Sequence, residues 1–334
     1  MAIGRDTSLD AARGLGILLV ICGHLLEPAF IGQEDVTRGL AFTIWRTIYA
    51  FHMPYFFLVT GMADKLVEGR RSSDVTATAL QLVLTALAFS LLAYIPQVIA
   101  ESVSVREILM RHLAGQRLGL APLWFLIALA LVRILYAAAS KISGRVVYWS
   151  FLVTVLVVSW ACAKYQFQPW YFQSLLGALP FYLIGRLAEA EGLKVSASAA
   201  LCGLAALLTC SSDNFVHLAA GQYGDLPHFA AGALGGCCFA LALIGYLRGV
   251  ALTAAAYLGR RSFELFVISG IVLAASPLMR QLDNALGLLL IFLLGVPSHI
   301  VLARFLRRPI TAARRAIGVL VELWRHPRIP PAGV

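Results

Sequence analysis

From Ser8 to Phe305, apolar runs follow one another with only short polar breaks between them. Each run is close to the roughly 20 residues that cross about 30 Å of hydrocarbon at about 1.5 Å per residue. Most breaks are too short to fold by themselves, and in lipid every backbone polar group must be satisfied within the protein. The expected class is therefore an all-α integral membrane protein. Hydrophobic residues make up 60% of the chain and charged residues 13%, a balance no soluble core can absorb.

Ten spans are predicted: Ser8 to Leu26, Ala41 to Ala63, Val75 to Gln97, Leu123 to Ala139, Val146 to Ala163, Tyr171 to Gly185, Val195 to Cys210, Phe229 to Leu247, Ser262 to Leu278 and Ala285 to Phe305. The net charge of +10 would suggest a nucleic-acid partner in a soluble protein. In a membrane chain the placement of charge matters more than its sum. With the N-terminus inside, the outer loops hold Arg38, Arg106, Arg111, Arg117, Lys164 and Arg280, and most other basic residues fall inside. The positive-inside rule then puts both termini in the cytoplasm, with the lipid bilayer of an inner cell membrane as partner and no nucleic acid.

Residues 1–306 are read as the membrane domain and 307–334 as a basic amphipathic cytoplasmic tail. In that tail Ile310, Ile317, Val321 and Trp324 share a helical face that suits an anionic leaflet. The first apolar run lacks a clear cleavage site and is read as a retained helix. Six cysteines lie in apolar runs without CxxC spacing. Neither a disulfide framework nor a metal site is expected.

The first span carries a polar stripe. Eleven helical steps of about 100° separate Arg13 from His24, within about 20° of whole turns, and Asp10 falls about 40° from His24 in the same projection. Such a stripe faces a protein interior or a wet cavity, since lipid rejects it. A neutral imidazole at His24 suits general-base work, and it equally suits a plain hydrogen bond to a neighbouring helix. Asp10 and Arg13, three residues apart, also fit a simple salt bridge.

In Phe51-His52-Met53-Pro54-Tyr55-Phe56-Phe57, proline removes a backbone donor inside an apolar span, so a break or kink is expected near His52. That is either a site wall or an incidental kink. The sequence Gly259-Arg260-Arg261-Ser262-Phe263-Glu264 places two arginines at the inner surface. Arg260 and Glu264 fit an i, i+4 pair, while Arg260 and Arg261 are also suited to holding phosphates. The outer loop from Val98 to Pro122, with Arg117, is either a polar-ligand surface or a solvated connection.

Together these blocks resemble the acyltransferase-3 family of membrane acyltransferases, and within it the fucose 4-O-acetylase-like group. The residues that carry the resemblance are Ser8-Leu9-Asp10 with Arg13 and, ten residues on, His24. They continue with Phe51-His52-Met53-Pro54, Phe56-Phe57 and Gly61; Leu123-Trp124-Phe125-Leu126; Pro180-Phe181-Tyr182-Leu183-Ile184-Gly185; and Leu258-Gly259 with Ser262-Phe263. Many members carry a histidine after the last block, where this chain has Val267-Ile268-Ser269-Gly270.

The resemblance implies a ten-helix domain that moves an acyl group, commonly acetyl from acetyl-CoA, to extracytoplasmic glycans. It marks Arg13 and His24 as essential. The expected catalytic set is His24, Arg13 and Asp10; Arg13, Arg260, Arg261 and Ser262 would bind the coenzyme, and His52, Trp124 and Arg117 a glycan or lipid-linked sugar acceptor. The rise from Arg13 to His24, about 16 Å, matches a pantetheine arm equivalent to four or five extended residues, about 15 Å. No hydrolase-like C-terminal domain follows, so the membrane domain or a separate partner is expected to complete transfer. The competing readings are a transporter or flippase, which predicts inverted repeats, and a non-catalytic subunit of polysaccharide export.

Overall fold

The computed structural model describes residues 7–30, 39–65, 72–99, 104–113, 121–192, 194–274 and 285–325. They form α1 (Thr7–Phe30), α2 (Leu40–Lys65), α3 (Ser72–Ile99), α4 (Val105–Leu113), α5 (Trp124–Ala139), α6 (Arg145–Lys164), α7 (Leu175–Ala190), α8 (Ala197–Ser211), α9 (Leu226–Tyr246), α10 (Gly249–Arg260), α11 (Ser262–Ala274) and α12 (Ala285–Arg325). Among the described residues there is no strand. Most of the apolar stretches read from the sequence coincide with these helices; the one from Tyr171 begins in a 3₁₀ turn, Pro169–Ser174, and the one from Ser262 is described only to Ala274. Among the described residues four stretches are individually long and apolar enough to cross a bilayer: Thr7–Glu27, Val75–Ile95, Arg145–Lys164 and Leu226–Tyr246. Shorter apolar helices cover Trp124–Ala139, Ala197–Ser211 and Ser262–Val272.

Helix α1 runs through the centre, packed against α2, α9, α10, α11 and α12. Its Ala11, Ile17 and Leu26 are fully buried, as are Tyr55 and Phe57 of α2. Other helices turn apolar side chains outward, among them Val146, Val153 and Val157 of α6 and Leu289, Leu293 and Leu294 of α12. In water such a surface would be a liability; against hydrocarbon it is the expected exterior.

Without a hydrophobic force between helices in lipid, small residues set where backbones meet. Gly61 of α2 lies on the Tyr182 carbonyl of α7, and Gly185 of α7 on the Leu58 carbonyl of α2. One end of this crossing is tied by an ion pair: Arg133 of α5 donates to both oxygens of Asp64 at 2.7 Å, and the Tyr182 hydroxyl donates to Asp64 at 3.0 Å.

Three elements depart from the sequence reading. Of the break or kink expected near His52, a break is ruled out: α2 continues through Pro54. His52 Nδ1 bonds the Ile48 carbonyl at 3.0 Å and the Tyr55 hydroxyl donates to the Ala12 carbonyl at 3.1 Å, so side-chain contacts hold the turns on either side of the proline. The last span and the tail as far as Arg325 form one helix, α12, with Pro297 and Pro309 inside it. There Ile310, Ile317 and Val321 are buried, with Gly318 against Gln81 of α3, while Trp324 is exposed. That apolar face is covered by protein where a lipid surface was expected. Finally, the stretch from Val98 to Pro122 contains α4 and a 3₁₀ turn at Ala121–Leu123.

Candidate active site on helix α1

At one end of α1, Asp10 is only 2% exposed yet lies beside two guanidinium groups. Arg13 Nη1 stands 3.6 Å from Asp10 Oδ1, and Arg260 Nη1 of α10 stands 3.7 Å from Oδ2. The expected Asp10–Arg13 pair is thus present, with a third member the spacing did not reveal. The pairing of Arg260 with Glu264 gives way to this contact because the chain turns at Arg261, where φ is −114° and ψ 15°. Arg260 ends α10 and Glu264 belongs to α11.

Arg261 lays its guanidinium 3.7 Å from the centre of the Tyr257 ring, and its Nε is buried without a partner. A hydrogen bond with Arg304, reinforced by the charges of Arg261, Arg304 and Arg307, pushes the Tyr257 phenol below its ordinary pKa. Residues from α10 and α12 therefore build a positive field around the Arg13 end, of the kind that favours phosphate. Ser262 opens α11 next to it.

Toward the other end of α1, His24 lines a cavity with about 540 Å³ of unfilled space, counting its open mouth. Val20 and Glu27 of α1, Tyr49, His52 and Met53 of α2, Trp124 of α5 and Phe266 of α11 share its wall with His217 and Leu218. The structure thus places His24, His52 and Trp124 on the wall of one cavity. Arg117 lies outside the described residues. Among the described residues no group of three or more His, Cys, Asp or Glu side chains is arranged to hold a metal.

The polar groups of this cavity have defined partners. The Tyr49 hydroxyl donates to Glu27 Oε2 at 3.2 Å, and its ring stacks on Trp45 at 3.9 Å between centres. His52 Nδ1 faces a carbonyl, which only accepts, so Nδ1 carries its proton. His217 Nδ1 accepts from the Ala220 amide at 3.3 Å. His24 Nδ1 lies 3.2 Å from Ser269 Oγ of α11.

His217 reaches the cavity because its loop is pinned from a distance. Gln173 Nε2 donates to the Ala219 carbonyl at 2.8 Å, Ser174 Oγ to the Leu218 carbonyl at 2.9 Å and Gln168 Nε2 to the Ala220 carbonyl at 3.1 Å. Those side chains sit in or beside the turn Pro169–Ser174, where Trp170 and Tyr171 adopt positive φ of 50° and 60°. Tyr171 is packed 6.3 Å from Trp124.

Glu27, Tyr49 and His217 escaped the sequence reading, and Ser269 entered it only as a departure from the family pattern. Glu27 and Tyr49 each lie three residues from a histidine that was singled out, so helical spacing was an available signal. His217 had none, because it arrives through a loop.

A buried polar helix end and a histidine-lined cavity on the same helix thus sit inside a helical body with an apolar exterior. The chain belongs to the acyltransferase-3 family: the model of its acyltransferase domain matches residues 6–306. It is also similar to a nodulation protein, NolL, of Mesorhizobium japonicum, with 30% identity over 187 residues, which cover 55% of this chain and 48% of that protein. The match spans about half the length of that curated relative. No solved structure matches the chain.

Proposed function

We propose that this acyltransferase transfers acetyl from acetyl-CoA, taken from the cytoplasm, to a hydroxyl of an extracytoplasmic glycan or lipid-linked sugar. The setting would be a cell inner membrane, crossed ten times with both termini cytoplasmic. The observation that carries this reading is that one helix bears both the arginine-flanked Asp10 and the cavity histidine. Their separation along α1, about 16 Å from Arg13 to His24, suits a long thioester lying beside the helix.

In this mechanism Arg13, Arg260 and Arg261 hold the coenzyme phosphates, with Asp10 fixing the first two. His52, Trp124 and Arg117 contact the acceptor. His24 removes the proton of the acceptor hydroxyl as its oxygen attacks the thioester carbonyl. A C–O bond forms, the C–S bond breaks, and the proton on His24 passes to the departing thiolate, giving the acetyl ester and free coenzyme A.

The test is incubation of the purified protein with labelled acetyl-CoA and candidate glycans, followed by mass analysis. His24→Ala is expected to abolish transfer with acetyl-CoA binding retained, and Arg13→Ala to weaken acetyl-CoA binding. A His24→Ala protein that folds and still transfers label would overturn the role of His24. Movement of an unmodified sugar across vesicles, with no ester formed, would replace the enzyme reading by the transporter.

A further inference from the structure

We infer that Ser269 is a positioning residue that holds His24 in the Nδ1-protonated tautomer, leaving Nε2 as the lone-pair nitrogen of the base. The inference rests on the reading of His24 as general base and specifies which atom does the work.

Ser269 is fully buried on α11. Its hydroxyl donates to the Phe266 carbonyl at 2.8 Å, one turn back on the same helix. A hydroxyl owns one proton, and a carbonyl can only accept, so that proton is committed. What Ser269 Oγ offers His24 at 3.2 Å is therefore a lone pair. The hydrogen in this contact must come from Nδ1. A neutral imidazole carries one N–H, so Nε2, on the other side of the ring, is left basic.

The arrangement is a relay of orientation: the Phe266 carbonyl fixes the hydroxyl, and the hydroxyl fixes the ring. It gives a histidine the same service that a carboxylate or backbone carbonyl gives elsewhere, without placing a charge beside it. The cavity wall includes both His24 and Phe266, so the whole chain of contacts lies at the reacting centre.

The experiment uses the full-length protein in lipid bilayers with its histidines labelled with ¹⁵N. The His24 signals are identified by their loss in His24→Gln. The expected spectrum shows His24 with Nδ1 protonated and Nε2 bare. Ser269→Ala should move His24 toward the Nε2-protonated form, and Ser269→Thr, which keeps the hydroxyl, should retain the original spectrum. Label transfer from acetyl-CoA should fall about tenfold to hundredfold in Ser269→Ala, less than the roughly 10²–10⁴ lost with a general base altogether, because the imidazole remains. Its KM for acetyl-CoA should be unchanged, and Ser269→Thr should recover transfer to within about threefold.

A protonated Nε2 in the unaltered protein, or an unchanged His24 spectrum in Ser269→Ala, would overturn the inference. If the spectrum behaves as expected while His24→Ala still transfers acetyl, the positioning contact stands and the base assignment falls. If His24→Ala is inactive and Ser269→Ala is fully active, the base assignment stands and the inference falls.

Discussion

Gly14 of α1 and Gly259 of α10 meet backbone to backbone. A methyl group on Gly14 would strike the carbonyl of Ala255, and one on Gly259 the carbonyl of Asp10. Because Arg260 follows Gly259 directly, this approach also delivers its guanidinium to Asp10. Gly259→Ala should therefore act twice. Forcing the helices apart is expected to cost about 1–3 kcal/mol, visible as a lower melting temperature in detergent. Acetyl-CoA affinity should fall in the same variant. Wild-type melting and binding in Gly259→Ala would show that the close approach is dispensable.

Arg260→Ala separates these two effects. Arg260 is 38% exposed and Arg13 stays beside the buried Asp10 when Arg260 is removed, so little stability depends on the second pairing. Loss of Arg260 should leave the melting temperature nearly unchanged. A phosphate contact, by contrast, should cost about tenfold in acetyl-CoA affinity, or roughly 1.4 kcal/mol. Titration calorimetry with acetyl-CoA measures it directly, and an unaltered dissociation constant would remove Arg260 from the donor site.

Most of the helical plan was legible because apolar run length is a strong constraint in a bilayer. What the sequence could not supply was the set of contacts between runs. The structure shows what the separated blocks have in common. Asp10 and Gly14 meet Gly259; Gly61 and Leu58 meet Tyr182 and Gly185; Phe125 packs on Phe56, Phe57 and Phe266 at 5.6, 5.0 and 5.8 Å between centres. Small residues and rings of this kind look bland in isolation, since their meaning lies in the partner helix. At Pro54 local chemistry allows a break or a kink, and the helix runs on without a break, with Tyr55 bonded to the Ala12 carbonyl of α1. Ser269 registered only as a departure from a familiar pattern, and its hydrogen bond to His24 spans a sequence distance that periodicity cannot bridge.

The ion pair between Arg133 and Asp64 should matter for stability and not for chemistry. Both side chains are less than a fifth exposed, at 17% and 19%, and the contact is two-pronged. Arg133→Ala leaves the Tyr182 hydroxyl donating to Asp64 but removes the two-pronged partner, and should destabilise the protein by about 1–3 kcal/mol. Arg133→Lys should recover only part of this, since an ammonium cannot supply the planar fork. Transfer per folded molecule should stay near wild type in both. A large fall in kcat without a change in melting would place this pair in the catalytic machinery.

Glu27 offers the cleanest separation of acceptor from donor. It faces the cavity and already accepts from Tyr49, leaving carboxylate lone pairs to meet a sugar hydroxyl. Glu27→Gln retains an oxygen for Tyr49 but removes the charge, and hydrogen bonds to charged groups contribute about 1.5–3 kcal/mol against about 1 for neutral ones. The KM for a glycan acceptor should therefore rise about tenfold, while the dissociation constant for acetyl-CoA stays fixed, because Arg13 and Arg260 lie at the other end of α1. Glu27→Leu, which also strips Tyr49 of its partner, should be worse than Glu27→Gln in acceptor KM and in melting temperature. Steady-state kinetics with each substrate varied in turn decides the matter. An effect of Glu27→Gln on acetyl-CoA binding alone would mean that the donor occupies the cavity and that the two ends of the helix have been assigned the wrong way round.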